Sequence, residues 1–249
     1  MKLTFLGTSH GHPEVRRYCT SVYVEHNGFG FVVDVGAPVE YLFKNRGIET
    51  EKVKAYFLTH MHSDHADTLG SVAKSYLVYH KTGDADVFFA EDAAIDPFCA
   101  WMTALHIPLD RHHDRFRLHT TSEGVIYENY GLRVSAIRTE HIAPNVPTFA
   151  YLFEADDGKR VLFTGDLAYD FHDFPKIAFE TEKPFDLIVS ELTHLSADKA
   201  KTVLVNAKTR LMIFSHVTPT HNLVLLEREN IRFPFVHIVA CDGFEYYVV

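Results

Sequence analysis

The chain is poor in the features that mark several broad protein classes. Its three cysteines, Cys19, Cys99 and Cys241, are far apart and form no C-x-x-C pair, so neither a disulfide framework nor a thiolate zinc site is expected. The longest weakly charged stretch, residues 97–109, is too short to cross a bilayer. The opening MKLTFLGTSHGHPE has one Lys and an apolar run too short for a signal-peptide core, and a cytoplasmic protein without a membrane partner is expected. Cationic excess is also missing: 24 Lys and Arg stand against 33 Asp and Glu, a formal net charge of −9. Polynucleotide binding relies on cationic side chains that displace counterions from phosphates, so a large nucleic-acid partner is not expected either. Low-complexity tracts are absent.

What remains is 249 residues, 47% of them hydrophobic, enough to bury a sizeable core. Both halves have the same texture, and one domain over residues 1–249 is expected. Short runs rich in Val, Ile, Phe and Tyr recur, among them KLTFLG, FGFVVDVG, KAYFLTH, TFAYLFEAD, FDLIVSEL and HIVACDGFEYYVV. They read as strands, several joined by turn signals such as Asn27-Gly28 and Asp157-Gly158. Helical candidates are residues 38–46, 64–80, 92–105, 197–208 and 219–229. Strands with interspersed helices suggest an α/β protein with mixed sheets.

Five apolar runs end in a candidate ligand or acid: FLTH at His60, IRTEH at His141, LFTGD at Asp166, IVSE at Glu191 and IFSH at His216. Strands of one layer bring such ends to a common edge, where residues remote in sequence converge. The densest case is LTHMHSDHAD, residues 58–67. Zinc and similar cations take imidazole nitrogen and carboxylate oxygen. His60 and His62 alternate on extended backbone and face one side, while Asp64 and His65 fall at a helix start and can serve a second metal. In a chain with 17 His a lone histidine means little; this spacing, with Asp166 and two more strand-end histidines, means more.

THMHSDH resembles the signature of the metallo-β-lactamase superfamily, binuclear metallohydrolases with a four-layer αββα sandwich of two mixed β-sheets. The resemblance covers essentially the whole chain, because later motifs follow in the family's order. It implies two divalent metal ions, zinc first, with manganese or iron as alternatives. His60, His62 and His141 would hold one, Asp64, His65 and His216 the other, and Asp166 would bridge them. It also implies a hydroxide activated between the metals as nucleophile, with Asp64 orienting it.

Two further stretches narrow the branch. LGTSHGHP, residues 6–13, resembles the N-terminal loop of ribonuclease Z and related phosphodiesterases, where glycines let backbone amides approach an anion; a tight turn is the alternative. SELTHLSADKA, residues 190–200, resembles two ribonuclease Z elements fused together. By that resemblance His194 protonates the leaving oxygen or binds phosphate and Glu191 orients His194; otherwise Ser196 simply caps a helix. The long basic arm with which ribonuclease Z grips tRNA has no counterpart here. In DHADTLG, Gly70 comes two residues later than in the family's D-H-x-x-G, so the helix after Asp64 is expected to start differently, with Asp67 near the site or solvated.

The resemblance therefore implies a small-molecule phosphodiester substrate of the cyclic nucleotide or cyclic sugar phosphate type, with motif-level likeness to a phosphodiesterase of phosphonate breakdown. Alternatives are a lactone or thioester hydrolase on the same metals, a ribonuclease Z-type tRNA endonuclease, or a non-enzymatic metal-binding module. A redox di-iron centre would place Glu where His62 stands. The basic island RHHDRFRLH, residues 111–119, reads as a solvated loop, with a phosphate contact or a homodimer contact as alternatives. Residues 97–109, with Trp101, form either a lid or a buried helix. His10, His12, Arg16 and Arg17 are candidates to approach the substrate, and His26, His80, His172, His221 and His237 are taken as structural.

Overall fold

Strands covered on both faces read as near-continuous apolar runs, and the structure shows what covers them. It is a computed structural model that describes residues 1–79, 83–218, 222–224, 226 and 231–249; the helix expected over 219–229 lies largely outside these, as do His80 and His221. One sheet begins with β1 (Lys2–Gly7), β2 (Ser21–His26), β3 (Phe29–Val33), β4 (Val53–Phe57), β5 (Ala85–Phe89) and β6 (Phe116–Thr120). The other holds β7 (Gly124–Asn129), β8 (Leu132–Thr139), β9 (Thr148–Ala155), β10 (Arg160–Phe163), β11 (Leu187–Leu192), β12 (Leu211–Val217) and β13 (Val236–Val239). β14 (Glu245–Tyr247) then returns to the first sheet beside β1. The spatial orders are β14-β1-β2-β3-β4-β5-β6 and β13-β12-β11-β10-β9-β8-β7. Both sheets are mixed: β3 to β6 and β10 to β13 run parallel, and the other neighbours antiparallel.

Alternation along the strands builds three apolar layers. Phe31 and Val33 of β3, Phe57 of β4, Tyr151 and Phe153 of β9 and Ile213 of β12 meet between the sheets. On the outer face of the first sheet Val32, Tyr56 and Val87 pack under α1 (Val39–Arg46), α3 (Leu69–Lys74) and α4 (Ile95–Ala104), with the short α2 (Ser63–Ala66) just ahead of α3. On the outer face of the second, Leu152, Ile188, Met212 and Phe214 pack under α5 (Ile177–Glu180) and α6 (Ala197–Val203). This is the expected αββα sandwich.

Several expectations need correction. The helix expected over 64–80 is broken at Asp67-Thr68, because the Thr68 hydroxyl and amide both donate to Val35 O, and the hydroxyl also to Ala37 O. HIVACDGFEYYVV is not one strand but β13 and β14, in different sheets. The five ligand-bearing strand ends do not share a layer: β4 belongs to the first sheet and β8, β10, β11 and β12 to the second. The basic island is not a solvated loop throughout, since residues 116–119 form most of edge strand β6. Its charges are met locally, Arg117 by Asp86 at 2.8 Å and Asp84 at 3.2 Å, and Arg111 by Asp92 and Asp96. The segment with Trp101 is a helix on the outer face of the first sheet, with Ile95 and Met102 buried. All three cysteines are free, and burial with the nearby Asp64 and Asp67 charges pushes the Cys19 thiol up to about 11.

The sheets are also pinned by hydrogen bonds across the sandwich. The buried Tyr151 hydroxyl of β9 donates to Leu58 O at the end of β4, at 2.7 Å. A buried carbonyl that loses its donor costs about 1–3 kcal/mol. Tyr151→Phe is expected to lower unfolding free energy by about that amount in urea titrations, with an unchanged m-value.

Candidate metal centre

The strand ends meet where the two sheets touch through Thr59, Phe149 and Gly165. Thr59, just past β4, donates its amide to Asp34 Oδ1 at 2.8 Å and its hydroxyl to Asp34 Oδ2 at 2.9 Å. Its carbonyl accepts from Phe149 N of the other sheet at 2.9 Å. Gly165, in the left-handed region with φ 60°, closes the joint from the second sheet; a Cβ there would stand 2.8 Å from Thr59 Cβ. The next residues on either side of this joint are His60 and Asp166.

Local backbone geometry aims each side chain. His60 and His62 lie on extended chain leading into α2, with His62 at its N-cap position in β conformation. α2 is seated by Gly36: the Val35 amide donates to His65 O at 2.7 Å, and a Cβ on Gly36 would fall 1.7 Å from Asp64 O. His216 sits in a bulge of β12, where the register with β11 slips between Ser190–Phe214 and Leu192–Val217. It has φ 53°, a costly left-handed conformation for a histidine and one that re-aims its ring inward.

The seven side chains expected to hold metal come together. His62 Nδ1 lies 3.0 Å from His60 Nε2 and 3.4 Å from His141 Nε2. Asp166 Oδ2 is 3.9 Å from His60 Nε2 and 3.7 Å from His141 Nε2. On the other side Asp64 Oδ2 is 3.1 Å from His216 Nε2 and 3.5 Å from His65 Nε2, and Asp166 Oδ1 is 3.4 Å from His65 Nε2. Ligands around a tetrahedral ion with bonds of about 2.0–2.1 Å stand about 3.3–3.4 Å apart. Three of these buried atoms, His65 Nε2, Asp166 Oδ1 and His216 Nδ1, have no hydrogen-bond partner among the described residues. Burying polar atoms unpaired is costly; a divalent cation between them removes that cost, so the residues present fit the group.

The surrounding partners settle which ring atoms face inward. His65 donates Nδ1–H to Asp34 Oδ2 at 2.8 Å, and His141 donates Nδ1–H to Leu167 O at 3.1 Å, leaving Nε2 of each bare. Burial holds His60 and His141 below the usual histidine range, the neutral state a metal requires. Burial would raise Asp64 and Asp166, but the neighbouring His216 and His65 outweigh it and keep both ionised. For His65 burial disfavours charge, and Asp166 with Asp34 reverses the balance, raising it.

Glu191 and His194 flank this cluster. Glu191 Oε1 accepts from His194 Nδ1 at 2.8 Å and from Leu167 N at 2.8 Å, while Oε2 accepts the Thr193 and His194 amides. The loop carrying His194 is held by the buried Asn222, whose amide donates to Leu192 O and Leu195 O. The His194 ring lies tilted against that of His141, with centroids 4.5 Å apart, and approaches Asp166 to 4.0 Å. Burial resists its protonation, yet Glu191 outweighs burial and raises its pKa. Ser196 occupies the N-cap position of α6 with no side-chain cap.

In the glycine loop, Gly7 is required by the close passage of Cys19 O, 1.8 Å from where a Cβ would sit. Arg17 is no free phosphate ligand: it binds Glu14 and the carbonyls of Thr8 and Val217, tying the loop to the His216 strand. Arg16 is exposed, and the His10 ring stands 6.4 Å from that of His216. Asp67 is exposed. Sequence reading missed Asp34, although in FVVDVG an apolar run meets an acid as two of the other five runs do at Asp166 and Glu191, and it missed Thr59, whose role is set by the opposite sheet.

Two predictions follow from this shell. Asp34→Asn is expected to weaken metal affinity by about 10–100-fold, read by chelator competition. His62→Ala or Asp166→Ala is expected to remove at least one metal equivalent by elemental analysis; full metal content in both would refute the assignment.

Comparison with known proteins places this arrangement. The family model described as anti-Pycsar protein Apyc1 matches residues 1–214. Ribonuclease Z of Mycobacterium sp. (strain KMS) is 30% identical over 173 residues, 65% of this chain and 60% of that protein, so the chain spans less than two thirds of this relative. Among solved structures, the metallo-β-lactamase fold protein YhfI from Bacillus subtilis superposes with a TM-score of 0.76 at 19% identity, over 98% of both chains. A diphosphatase from the PhnP family gives 0.73 at 20% identity, over 99% of this chain and 97% of that one. At such identities the likeness concerns the fold alone, whereas the family match takes in β1 through most of β12. The chain belongs to the family of the anti-Pycsar protein Apyc1 and has the metallo-β-lactamase fold.

Proposed function

We propose that the chain acts as one domain and hydrolyses a small phosphodiester, of the cyclic nucleotide or cyclic sugar phosphate type, at a binuclear centre held by His60, His62, His141, Asp64, His65, His216 and the bridging Asp166. Two divalent ions there would lower the pKa of water and offset charge on the phosphoryl oxygens. Asp64, held ionised, orients the attacking water. His194, protonated and fixed through Nδ1 to Glu191, gives its Nε2 proton to the oxygen that leaves as the P–O bond breaks.

The observation that carries this reading is the Glu191–His194 pair, 2.8 Å apart and beside Asp166. A phosphodiester expels an alkoxide, which needs a proton; a thioester expels a thiolate, stable without one at neutral pH. A positioned acid with a raised pKa therefore favours the phosphodiester over the thioester. The net charge of −9 and the pairing of Arg111 and Arg117 with aspartates weigh against tRNA, the substrate class that the ribonuclease Z name would suggest.

The test is hydrolysis of an aryl phosphodiester by protein reconstituted with zinc or manganese. His194→Ala is expected to lose about 10²–10⁴-fold in kcat on a substrate with a poor leaving group, at unchanged metal content. No phosphodiester hydrolysis by fully loaded wild type would move the reading to lactones or thioesters. The pH profile gives a second check. The acid works protonated, so activity falls as pH rises through the His194 pKa. Glu191→Gln removes the charge that raises this pKa, leaves burial to lower it, and is expected to move the basic limb to lower pH.

A further inference from the structure

His141 and Asp166 follow strands that are not neighbours, because β9 lies between β8 and β10. With strands about 4.7–4.9 Å apart, the two strand ends stand roughly 10 Å from each other. The ladder does not reach the ligands: its last pairs are Thr139–Thr148 on one side of β9 and Phe163–Tyr151 on the other. Both ligands lie beyond those pairs, on loops 140–147 and 164–176, and something other than the sheet must set one against the other.

Among the described residues three hydrogen-bonded links cross between these loops. The first is the His141 ring, which donates Nδ1–H to Leu167 O at 3.1 Å. The second pairs His172 Nε2 with Glu140 Oε2 at 3.2 Å, but both side chains are more than half exposed, where water and salt screen such a pair. The third is Asp173. Its Oδ2 accepts the Glu140 amide at 2.7 Å and its Oδ1 the Ala168 amide at 3.0 Å. One carboxylate thus grips the residue just before His141 and the second residue after Asp166, through charge-assisted bonds of the stronger kind. The other anchors of the His141 loop do not do this. His141 N has a 3.4 Å contact with Thr148 Oγ1, at the limit of hydrogen bonding. Arg138 donates to Pro144 O and Val146 O, which ties the loop back to its own strand.

The loop that carries Asp173 is firmly built. Phe171 and Phe174 are buried to either side of it, and their amides close two turns onto Ala168 O and Phe171 O at 2.9 and 3.0 Å. Phe171 has φ 58°, a conformation unfavourable for an aromatic residue. A strained turn held by two buried rings fixes the carboxylate between them more narrowly than a free loop would.

We propose that Asp173 is a positioning residue: its carboxylate, shared between the amides of Glu140 and Ala168, sets the His141 loop against Asp166 so that the ion position of His60, His62 and His141 is preorganised. This rests on the binuclear reading. Asp166 is held in addition by the joint at Gly165, and Asp64, His65 and His216 lie on other elements, so loss of the staple falls on one ion position. Two amides approaching one group need two acceptors; an asparagine would turn its NH₂ toward an amide N–H.

Wild type, Asp173→Asn, Asp173→Ala and Phe174→Leu, each freed of metal, are titrated with cobalt(II). Visible absorption and chelator competition follow each equivalent, and thermal melts run in parallel. The expected result is two ions in the wild type and, in both Asp173 variants, one ion held as in the wild type and the other about 10–100-fold more weakly. Phe174→Leu loosens the packing but keeps the carboxylate; it is expected to melt earlier with both affinities within about threefold of the wild type. Unchanged affinities in the Asp173 variants, equal weakening of both ions in them, or the same selective loss in Phe174→Leu would overturn the proposal. A wild type that binds a single ion would instead sink the binuclear reading, and Asp173 keeps its role only if that ion is weakened by Asp173→Asn and not by Phe174→Leu. A wild type that binds no ion overturns both.

Discussion

The structure depends on one joint, the meeting of the two sheets at Thr59. A single residue there offers its amide and hydroxyl to Asp34, its carbonyl to Phe149 and its side-chain carbons to Gly165. Thr59, Asp34 and Phe149 are all buried, so their polar atoms must be paired inside the protein. Those pairings can be made together only if the ends of β3, β4, β9 and β10 arrive at fixed positions. The candidate site sits directly on that requirement, because His60 and Asp166 are the next residues out.

Each candidate ion position draws on both sheets. His60 and His62 belong to the first and His141 to the second; Asp64 and His65 belong to the first and His216 to the second. On the proposed assignment metal binding and closure of the sandwich share one free energy, because the ligands are brought together only when the sheets are. The electrostatics agree. Two ionised carboxylates, Asp64 and Asp166, and the imidazoles of His60, His65 and His216 are buried, a grouping that is tolerable when a cation balances it and costly otherwise. Asp34 extends the set by a further carboxylate, fully used by Thr59 and His65.

Much of this was legible in the sequence because it is local or periodic. Apolar runs covered on both faces announced buried strands, and residues 60–65 place four candidate ligands within one short stretch. The strand-end acids and histidines at Asp166, Glu191 and His216 announced convergence. What was not legible depends on partners remote in sequence. The break at Thr68 comes from carbonyls of residues 35 and 37. The strand character of residues 116–119 comes from pairing with β5, and the Asp84 and Asp86 carboxylates there use the charge that made the island look solvated. The share of strand ends between two sheets is a property of topology that no single run encodes.

The pairing of β1 with β14 has a consequence for how the chain is made. Lys2 to Thr4 lie opposite Glu245 to Tyr247, so β1 waits for a strand that is made only after the whole second sheet. While the chain emerges from a ribosome, the first sheet can assemble from β1 to β6 but keeps an open edge at β1, and an open edge is a template for pairing with another chain. Lys2, already facing its later partner Glu245, places a charge on that edge during the interval. The second sheet must be threaded and left again before the edge is closed, which gives the fold a late, non-local last step.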